Sequence, residues 1–395
     1  MESTTISRQG QEQTQSTVQI INVLHLLSFL KRVRDGRKRR GIRYPLETIL
    51  LLFILAKFCG ENKVYGIADW VQERSAYLIE ALGLKLKRQV LPHHSTYRRI
   101  LTEKIDSAEL DQIISDYLAQ LPHTGQSVVI AIDGKTVRGT ITRADPFGLH
   151  LLAAYLPGEG LVLMQMVVEK EKENEIVVAP KLLKCLDLRN KIVVGDAMQT
   201  QRQLSTQIVE AGGEYVWIVK DNQPKTREAI ELLFAPEKPV AGMGCPPLDF
   251  QSAKTVNKQA GRLEERQITV SSLLKDYLEW PYAEQVYKLE RRFTTLATGE
   301  VQTEVEYGLT SLAAQEADPA RLLGIKRKEW GIENGLHYRR DVTFQEDETR
   351  MTDKRMGRVM AIINNLVISI FNYLGFVNHA HACRVFNASP ERQLC

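Results

Sequence analysis

Cysteine is scarce and unpatterned in this chain. The five cysteines, Cys59, Cys185, Cys245, Cys383 and Cys395, are scattered and odd in number, and none forms a C-x-x-C pair. That argues against a disulfide framework and a zinc site and suits a reducing compartment. Long apolar runs are missing too. The most apolar stretch, residues 49–56, is ended by Lys57 and falls well short of the ~20 residues that a membrane-spanning helix needs. Residues 359–376 are longer but carry Asn364, Asn365 and Asn372, which suit a buried helix better. Residues 1–17 are rich in Ser, Thr and Gln with no apolar core, so no secretory signal is expected there. The expectation is a cytoplasmic protein with no membrane partner. Neither a G-x-G-x-x-G nor a Walker A sequence occurs, which removes the usual nucleotide-binding signatures. No internal repeat is visible. Net charge is small, +4, so the total alone does not point to nucleic acid.

What is present is unevenly distributed. With 395 residues there is room for two or three domains. Residues 1–17 read as a disordered tail. Residues 18–122 read as an N-terminal helical domain, with apolar spacing such as Val23, Leu26, Leu27 and Leu30, and with Pro45 opening a helix over 46–58. Residues 31–43 hold eight basic residues against one acid, Asp35. That run is either a phosphate-binding patch or a solvated linker. In residues 91–101, Ser95 or Thr96 can cap a helix carrying Arg98 and Arg99. A DNA-reading helix and a scaffold helix with surface arginines both fit that pattern.

After Pro122 the pattern changes. Strands are expected over 128–132, 149–155 and 161–168, the last two joined by the Pro157–Gly158 turn as a hairpin. A helix (175–186), a strand (191–195), a helix (200–211) and a strand (215–219) follow. This is the order of a mixed α/β sheet with flanking helices, as in the ribonuclease-H-like fold. Residues 123–223 are the first part of that core. Residues 224–312 read as a β-rich insertion with alternating segments at 262–270, 286–293 and 301–309. In the last, Val301, Thr303, Val305, Tyr307 and Leu309 should face one way, as in a half-buried strand. Residues 313–376 return to the core, ending in a helix over 354–374, and 377–395 form a C-terminal tail.

Two acids stand at the ends of apolar runs, Asp133 after VVIAI and Asp196 after IVVG. In such sheets ligands collect at the carboxyl ends of central strands. Carboxylates gathered there suit Mg²⁺, and a pair of such ions can clamp the attacking and leaving oxygens of a phosphodiester. The plainer readings are an Asp-Gly turn at Asp133 and a helix cap at Asp196, although Thr200 is better placed as a cap. Gly134 leaves room for a phosphate backbone, and Lys135 and Arg138 add positive charge. Further along, Glu329, Glu333 and His337 recur at four-residue intervals, on one face of a helix. By spacing alone Glu333 is a solvent-facing helix charge.

Four segments decide between these readings. AIDGKTVRGT, VVGDAMQTQ, KDNQP at residues 220–224 and WGIENGLHYRRDVTFQED at 330–347 occur in that order. Together they resemble the DDE transposases of bacterial insertion sequences, and more narrowly the H-repeat-associated group, over about residues 20–375. The resemblance implies metal-binding, catalytic acids at Asp133, Asp196 and Glu333. It also implies a ribonuclease-H-like core with a β-rich insertion before the helix bearing the glutamate. The chain departs from the wider group at Glu329, where a basic residue is usual, at Arg340, where a lysine is usual, and at Ala260, where a histidine is usual.

On that resemblance two Mg²⁺ ions are expected, with Mn²⁺ as a substitute, and the partners are double-stranded DNA of the element's terminal repeats and of the target. Cleavage at the element ends would be followed by attack of the freed 3′-OH on target DNA. A homodimer in a synaptic complex is expected, nucleoid-associated when bound. Lys135, Arg138, Lys220, Arg339 and Arg340 are the expected phosphate contacts near the scissile bond. Arg262 and Arg266 are expected contacts in the insertion, and Asn222 and Gln223 are expected to touch a displaced strand or base. Trp217 and Trp330 either stack on bases or, as the plainer reading, are buried core aromatics. His337 is either a donor near the metals or a structural histidine. The competing readings are a domesticated relative that binds DNA without cutting it, and a ribonuclease-H-like nuclease without strand transfer.

Overall fold

The computed structural model describes residues 22–389 apart from 41, 87–89, 123–124, 126–127, 170–172, 236–248 and 260. The expected tail over 1–17, Ala260, the insertion's Pro236, Pro239, Pro246 and Pro247, and the last six positions of the C-terminal tail lie outside the described residues. Six helices come first: α1 (Val23–Leu30), α2 (Leu46–Phe58), α3 (Val64–Glu73), α4 (Ser75–Ala81), α5 (His94–Glu103) and α6 (Ser107–Ala119). Pro45 opens α2 as expected. His93, not Ser95 or Thr96, caps α5, its ring accepting from the Ser95 N–H. The basic run is an ordered connection between α1 and α2. Arg32 pairs with Asp116 and Arg37 with Asp35, while Lys38, Arg39, Arg40 and Arg43 stand exposed.

The core strands are β1 (Val129–Val137), β2 (Leu149–Leu156) and β3 (Leu161–Val168), then α7 (Glu175–Lys184), β4 (Ile192–Gly195), α8 (Arg202–Glu210) and β5 (Glu214–Val219). After α9 (Pro224–Leu233) the insertion supplies β6 (Gln251–Gln259), β7 (Arg262–Ser271), β8 (Gln285–Thr295) and β9 (Val301–Thr310). The chain then forms α10 (Pro319–Glu329), α11 (Lys354–Tyr373) and α12 (His379–Ala388). All nine strands make one sheet in the order β3-β2-β1-β4-β5-β9-β8-β7-β6. β2 is antiparallel to its neighbours, and β1, β4 and β5 run parallel. That five-strand half, with helices on both faces, is the ribonuclease-H-like arrangement. The insertion is bonded to it through β9, antiparallel to β5, and so extends the same sheet.

Three expectations change here. β6 was not legible as a strand, because QSAKTVNKQ is an edge strand with polar residues throughout. The first half of β9 is exposed on both faces, with Val301 44% and Val305 47% accessible, because nothing packs over the far end of that ribbon. Residues 379–388 are helix rather than tail, and Ala382, Cys383 and Phe386 of α12 enter the core.

Side chains alternate across a strand, and β1 shows it. Val129 and Ala131 point into one hydrophobic cluster, and Ile130 and Ile132 into another. The first cluster joins that face of the sheet to α1–α6, α10, α11 and α12. The second joins the opposite face to α7, α8 and α9. α2 is apolar on every side and wholly enclosed, as a central helix should be. Its Lys57 is also buried; Nζ donates to Asn62 at 2.9 Å and lies 4.8 Å from the centre of the Phe344 ring, while Asn62 donates to the Thr343 carbonyl. Asn364 and Asn365 are buried on α11, as the asparagine-bearing run suggested.

Asp111 of α6 is buried and accepts from the Gln165 N–H at 3.2 Å. Burial pushes its carboxyl up to about 7, against the pull of that N–H and of Arg358 and Arg340. An aspartate in an unfolded chain titrates near ~3.9. The folded state therefore keeps a proton that the unfolded chain releases, and this stability is full below about pH 4 and lost as pH rises through about 7. Asp111→Asn is expected to raise Tm by roughly a few degrees at about pH 8 and to leave it nearly unchanged at about pH 4. Thermal unfolding at the two pH values checks this; equal shifts at both would contradict it.

Candidate active site

Parallel pairing of β1 with β4 runs from Val129 opposite Ile192 to Ile132 opposite Gly195. The next residue on each strand is an aspartate, so Asp133 and Asp196 emerge side by side. By alternation Asp133 shares the face of Val129 and Ala131, the face on which α10 and α11 pack. The sequence put Asp133 at a strand end; in the structure it lies within β1. β1 continues to Val137 because β2 pairs with it alone, Asp133 lying opposite Ala153. The close approach requires Gly195, where a Cβ would lie 3.0 Å from Ile132 Cγ1 and 3.1 Å from Gln199 Cγ.

Asp196 does cap, but it caps a single 3₁₀ turn, Ala197–Gln199, by accepting from the Met198 N–H at 3.0 Å. Thr200 is no cap for α8; its hydroxyl donates to the Ile218 carbonyl at 2.5 Å. Asp196 is open to solvent on one side. The protein on its other sides raises its pKa, chiefly by burial and then by the negative charges of Glu175 and Asp133. Both of those charges are negative.

Glu175 was not singled out from the sequence. It opens α7, is buried, and its Oε1 lies 2.7 Å from His150 Nε2 while Oε2 accepts from Gln199 Nε2 at 3.0 Å. The space beside Gly134, expected to admit a phosphate backbone, is filled by this carboxylate: a Cβ on Gly134 would sit 2.1 Å from Glu175 Oε1. The one legible signal was His150, a polar break in the otherwise apolar LHLLAAYL of β2.

The helix after α10 changes register. Glu333–His337 and Arg339–Thr343 are wound as π-helix, the Tyr338 N–H bonding to the Glu333 carbonyl and the Phe344 N–H to the Arg339 carbonyl. The wider turn breaks the common face expected for Glu329, Glu333 and His337. Glu329 is turned inward against Lys326. Glu333 is exposed. His337 is buried, with Nδ1 3.3 Å from Asp133 Oδ2. Among the described residues no group of three or more His, Cys, Asp or Glu side chains has the geometry to hold a metal ion. Asp133 and Asp196 are thus brought together, Glu333 is not gathered with them, and His337 stands at Asp133 instead. Glu333 begins the same turn that delivers His337.

The expected phosphate contacts divide in two. Arg138, Lys220 and Arg262 are exposed, Arg138 lying only 4.0 Å from Asp347. The others are engaged within the fold. Lys135 pairs with Asp341 at 2.6 Å and is almost enclosed. Arg340 is fully buried against Glu346 at 2.7 Å. Arg266 pairs with Glu264, and Arg339 donates to the Val377 carbonyl. Asn222 donates to the Ala197 carbonyl at 2.5 Å and Gln223 to the Thr200 carbonyl at 3.0 Å, so KDNQP braces the turn that follows Asp196. Trp217 is in the core as expected, but Trp330 is 55% exposed with the Arg291 guanidinium 5.1 Å from its ring centre. Trp330, Phe293, Arg266, Arg291 and Arg327 line a groove between α10 and the insertion, which continues past Lys258 and Arg262.

Comparison with known proteins places this geometry in context. Residues 27–118 match the family described as DDE_Tnp_1-associated, and residues 124–370 match the transposase DDE domain family. YncI of Escherichia coli O157:H7, named as a candidate transposase, is 27% identical over 363 residues, covering 90% of this chain and 88% of the relative. The H repeat-associated protein YhhI of Escherichia coli K12 is 27% identical over 352 residues, 87% of this chain and 89% of the relative. A solved structure, the piggyBac transposase synaptic complex with hairpin DNA, aligns over 93% of this chain and 77% of its own with a TM-score of 0.44 and 11% identity. No helix among the described residues is long and apolar enough to cross a membrane.

Under the groove, Lys326 is buried between Glu306 at 2.9 Å and Glu329. Burial alone would push the lysine pKa down, but Glu329 and Glu306 outweigh it and hold it well above the usual range. Lys326→Met would strand Glu329 and leave Glu306 with Arg291, and is expected to cost about 3–5 kcal/mol of stability. Urea unfolding measures it; an unchanged midpoint would mean that the acids are satisfied without the lysine.

Proposed function

Because the chain belongs to the transposase DDE domain family, we propose that this insertion-sequence transposase cleaves DNA at its element's ends and joins the freed 3′-OH to target DNA, with a divalent metal ion. The observation that carries this reading is the β1–β4 register, which sets Asp133 and Asp196 side by side at the point where the parallel pairing of the two strands stops. The donors suit a hard cation: two carboxylates, one of them raised in pKa first by burial and then by neighbouring negative charge. Asp133 and Asp196 would hold Mg²⁺ or Mn²⁺, and Glu333 would complete the set from the turn it begins. An ion held there supplies charge stabilisation at phosphorus and a more acidic water or 3′-hydroxyl.

The chain's own groups do the rest. His337 steadies one oxygen of Asp133. Asn222 and Gln223 hold the turn that carries Asp196. Arg138, Lys220 and Arg262 are free to meet phosphates, as are the exposed arginines of the 31–43 connection. The groove beside Trp330 offers a ring face and the exposed Arg327 to a nucleic-acid strand. Joining two ends calls for a homodimer or larger synaptic assembly. A second reading, a relative that binds DNA without cutting it, is favoured by one observation: Glu333 is exposed and not gathered with the aspartates.

Purified protein is expected to nick DNA bearing its terminal repeats in Mg²⁺ or Mn²⁺, and Asp133→Asn or Asp196→Asn to lower the rate more than about a hundredfold while DNA binding persists. Cleavage that survives in either variant refutes the site; binding without cleavage by the wild-type chain selects the second reading. Trp330→Ala combined with Arg327→Ala is expected to weaken DNA binding and to reduce the slope of log affinity against log salt by about one. A gel-shift series in salt reads this, and an unchanged slope would remove the groove from the DNA path.

A further inference from the structure

We propose that Glu175 is a positioning residue of the aspartate pair: it fixes the spacing of Asp133 and Asp196 and supplies the negative field that draws a divalent cation to them. The inference rests on the reading that these aspartates take such an ion.

Among the described residues, the contacts of the Glu175 carboxylate touch the flank of one aspartate or the other. Oε1 packs on Gly134, the residue after Asp133, so closely that no side chain fits there. The same oxygen meets His150 Nε2 at 2.7 Å, and His150 Nδ1 lies 2.8 Å from Thr136 Oγ1. A hydroxyl can donate to Nδ1, which leaves the proton on Nε2 to be donated to Glu175. This chain of bonds returns to β1 at Thr136, on the same strand as Asp133. The second oxygen accepts from Gln199, the last residue of the 3₁₀ turn that Asp196 caps. One buried carboxylate therefore ties the Asp133 strand to the Asp196 turn through both of its oxygens.

Its charge matters as well as its bonds. Glu175 is buried, and no lysine or arginine forms an ion pair with it among the described residues. A buried carboxylate without a cation is unfavourable. Lys135, the nearest basic residue in sequence to Asp133, is committed to Asp341 and Asp347. Among the described residues the cluster of Asp133, Asp196 and Glu175 is short of positive charge, and a divalent ion on the aspartates would offset it. Glu175 reaches that ion only through its neighbours, in the way that outer-shell partners tune ligands.

The test is Mn²⁺ binding to the full chain without DNA, read from the spin-resonance amplitude of the free ion. The wild-type chain is expected to bind and Asp133→Asn to lose that binding. Glu175→Gln, which keeps shape and removes charge, is expected to weaken Mn²⁺ by about ten- to a hundredfold. Its Tm in EDTA should hold or rise, because like-charge repulsion is relieved. Gln199→Ala, which leaves the charge and cuts only the tie to the Asp196 turn, is expected to weaken Mn²⁺ by a smaller factor. A purely structural Glu175 would instead lower Tm at unchanged affinity. Wild-type affinity in both variants overturns the proposal and leaves the aspartate assignment standing. Equal binding by the wild-type chain and Asp133→Asn overturns the aspartate assignment, and this inference with it.

Discussion

Parallel pairing of β1 and β4 stops where Ile132 meets Gly195, and each strand next presents an aspartate. One shift of register would send one of the two carboxylates to the other face of the sheet. Gly195 permits the approach, and Gly134 permits α7 to close over the same point from behind. The apolar runs on either side hold the register: Ile130, Ile132 and Val193 are locked into one cluster, Val129, Ala131 and Val194 into the other. The juxtaposition of the two carboxylates is thus a by-product of ordinary hydrophobic pairing carried one residue further than the core requires.

The aspartates were legible because an apolar run that ends in Gly-Asp carries its own geometry. Glu333 was visible only by resemblance to a family, since its surroundings depend on a π-wound turn that no short-range pattern announces. Glu175 was invisible for a different reason. An acid in the first turn of a helix has an ordinary explanation in the helix dipole, and its partners His150 and Gln199 are long-range in sequence. Basic residues misled most. Lys135 and Arg340 lie in segments that resemble a DNA-cutting family, yet each is closed off by acids, Asp341 and Glu346. Sequence shows that a charge exists; only the fold shows whether it is already neutralised.

The insertion illustrates how a charge can join parts rather than meet a ligand. Lys326 of α10 reaches Glu306 on β9, and Arg291 of β8 reaches the same acid at 3.0 Å. With β9 bonded to β5, the insertion is fixed to the core by both a backbone ladder and a buried ionic knot. Its free edge, β6, is polar and carries Lys254 and Lys258, which discourages pairing with a stray strand.

The first six helices share one hydrophobic cluster with α11, α12 and a face of the sheet, and Lys57 and Asn62 clasp the backbone that follows the π-wound turns. Two separately matched regions are therefore a single folding unit. For a mobile gene this has a genetic meaning. Removal of the first six helices would bare one apolar wall of the sheet, the kind of surface that favours aggregation. Inheritance of the front region together with the rest follows from this shared wall.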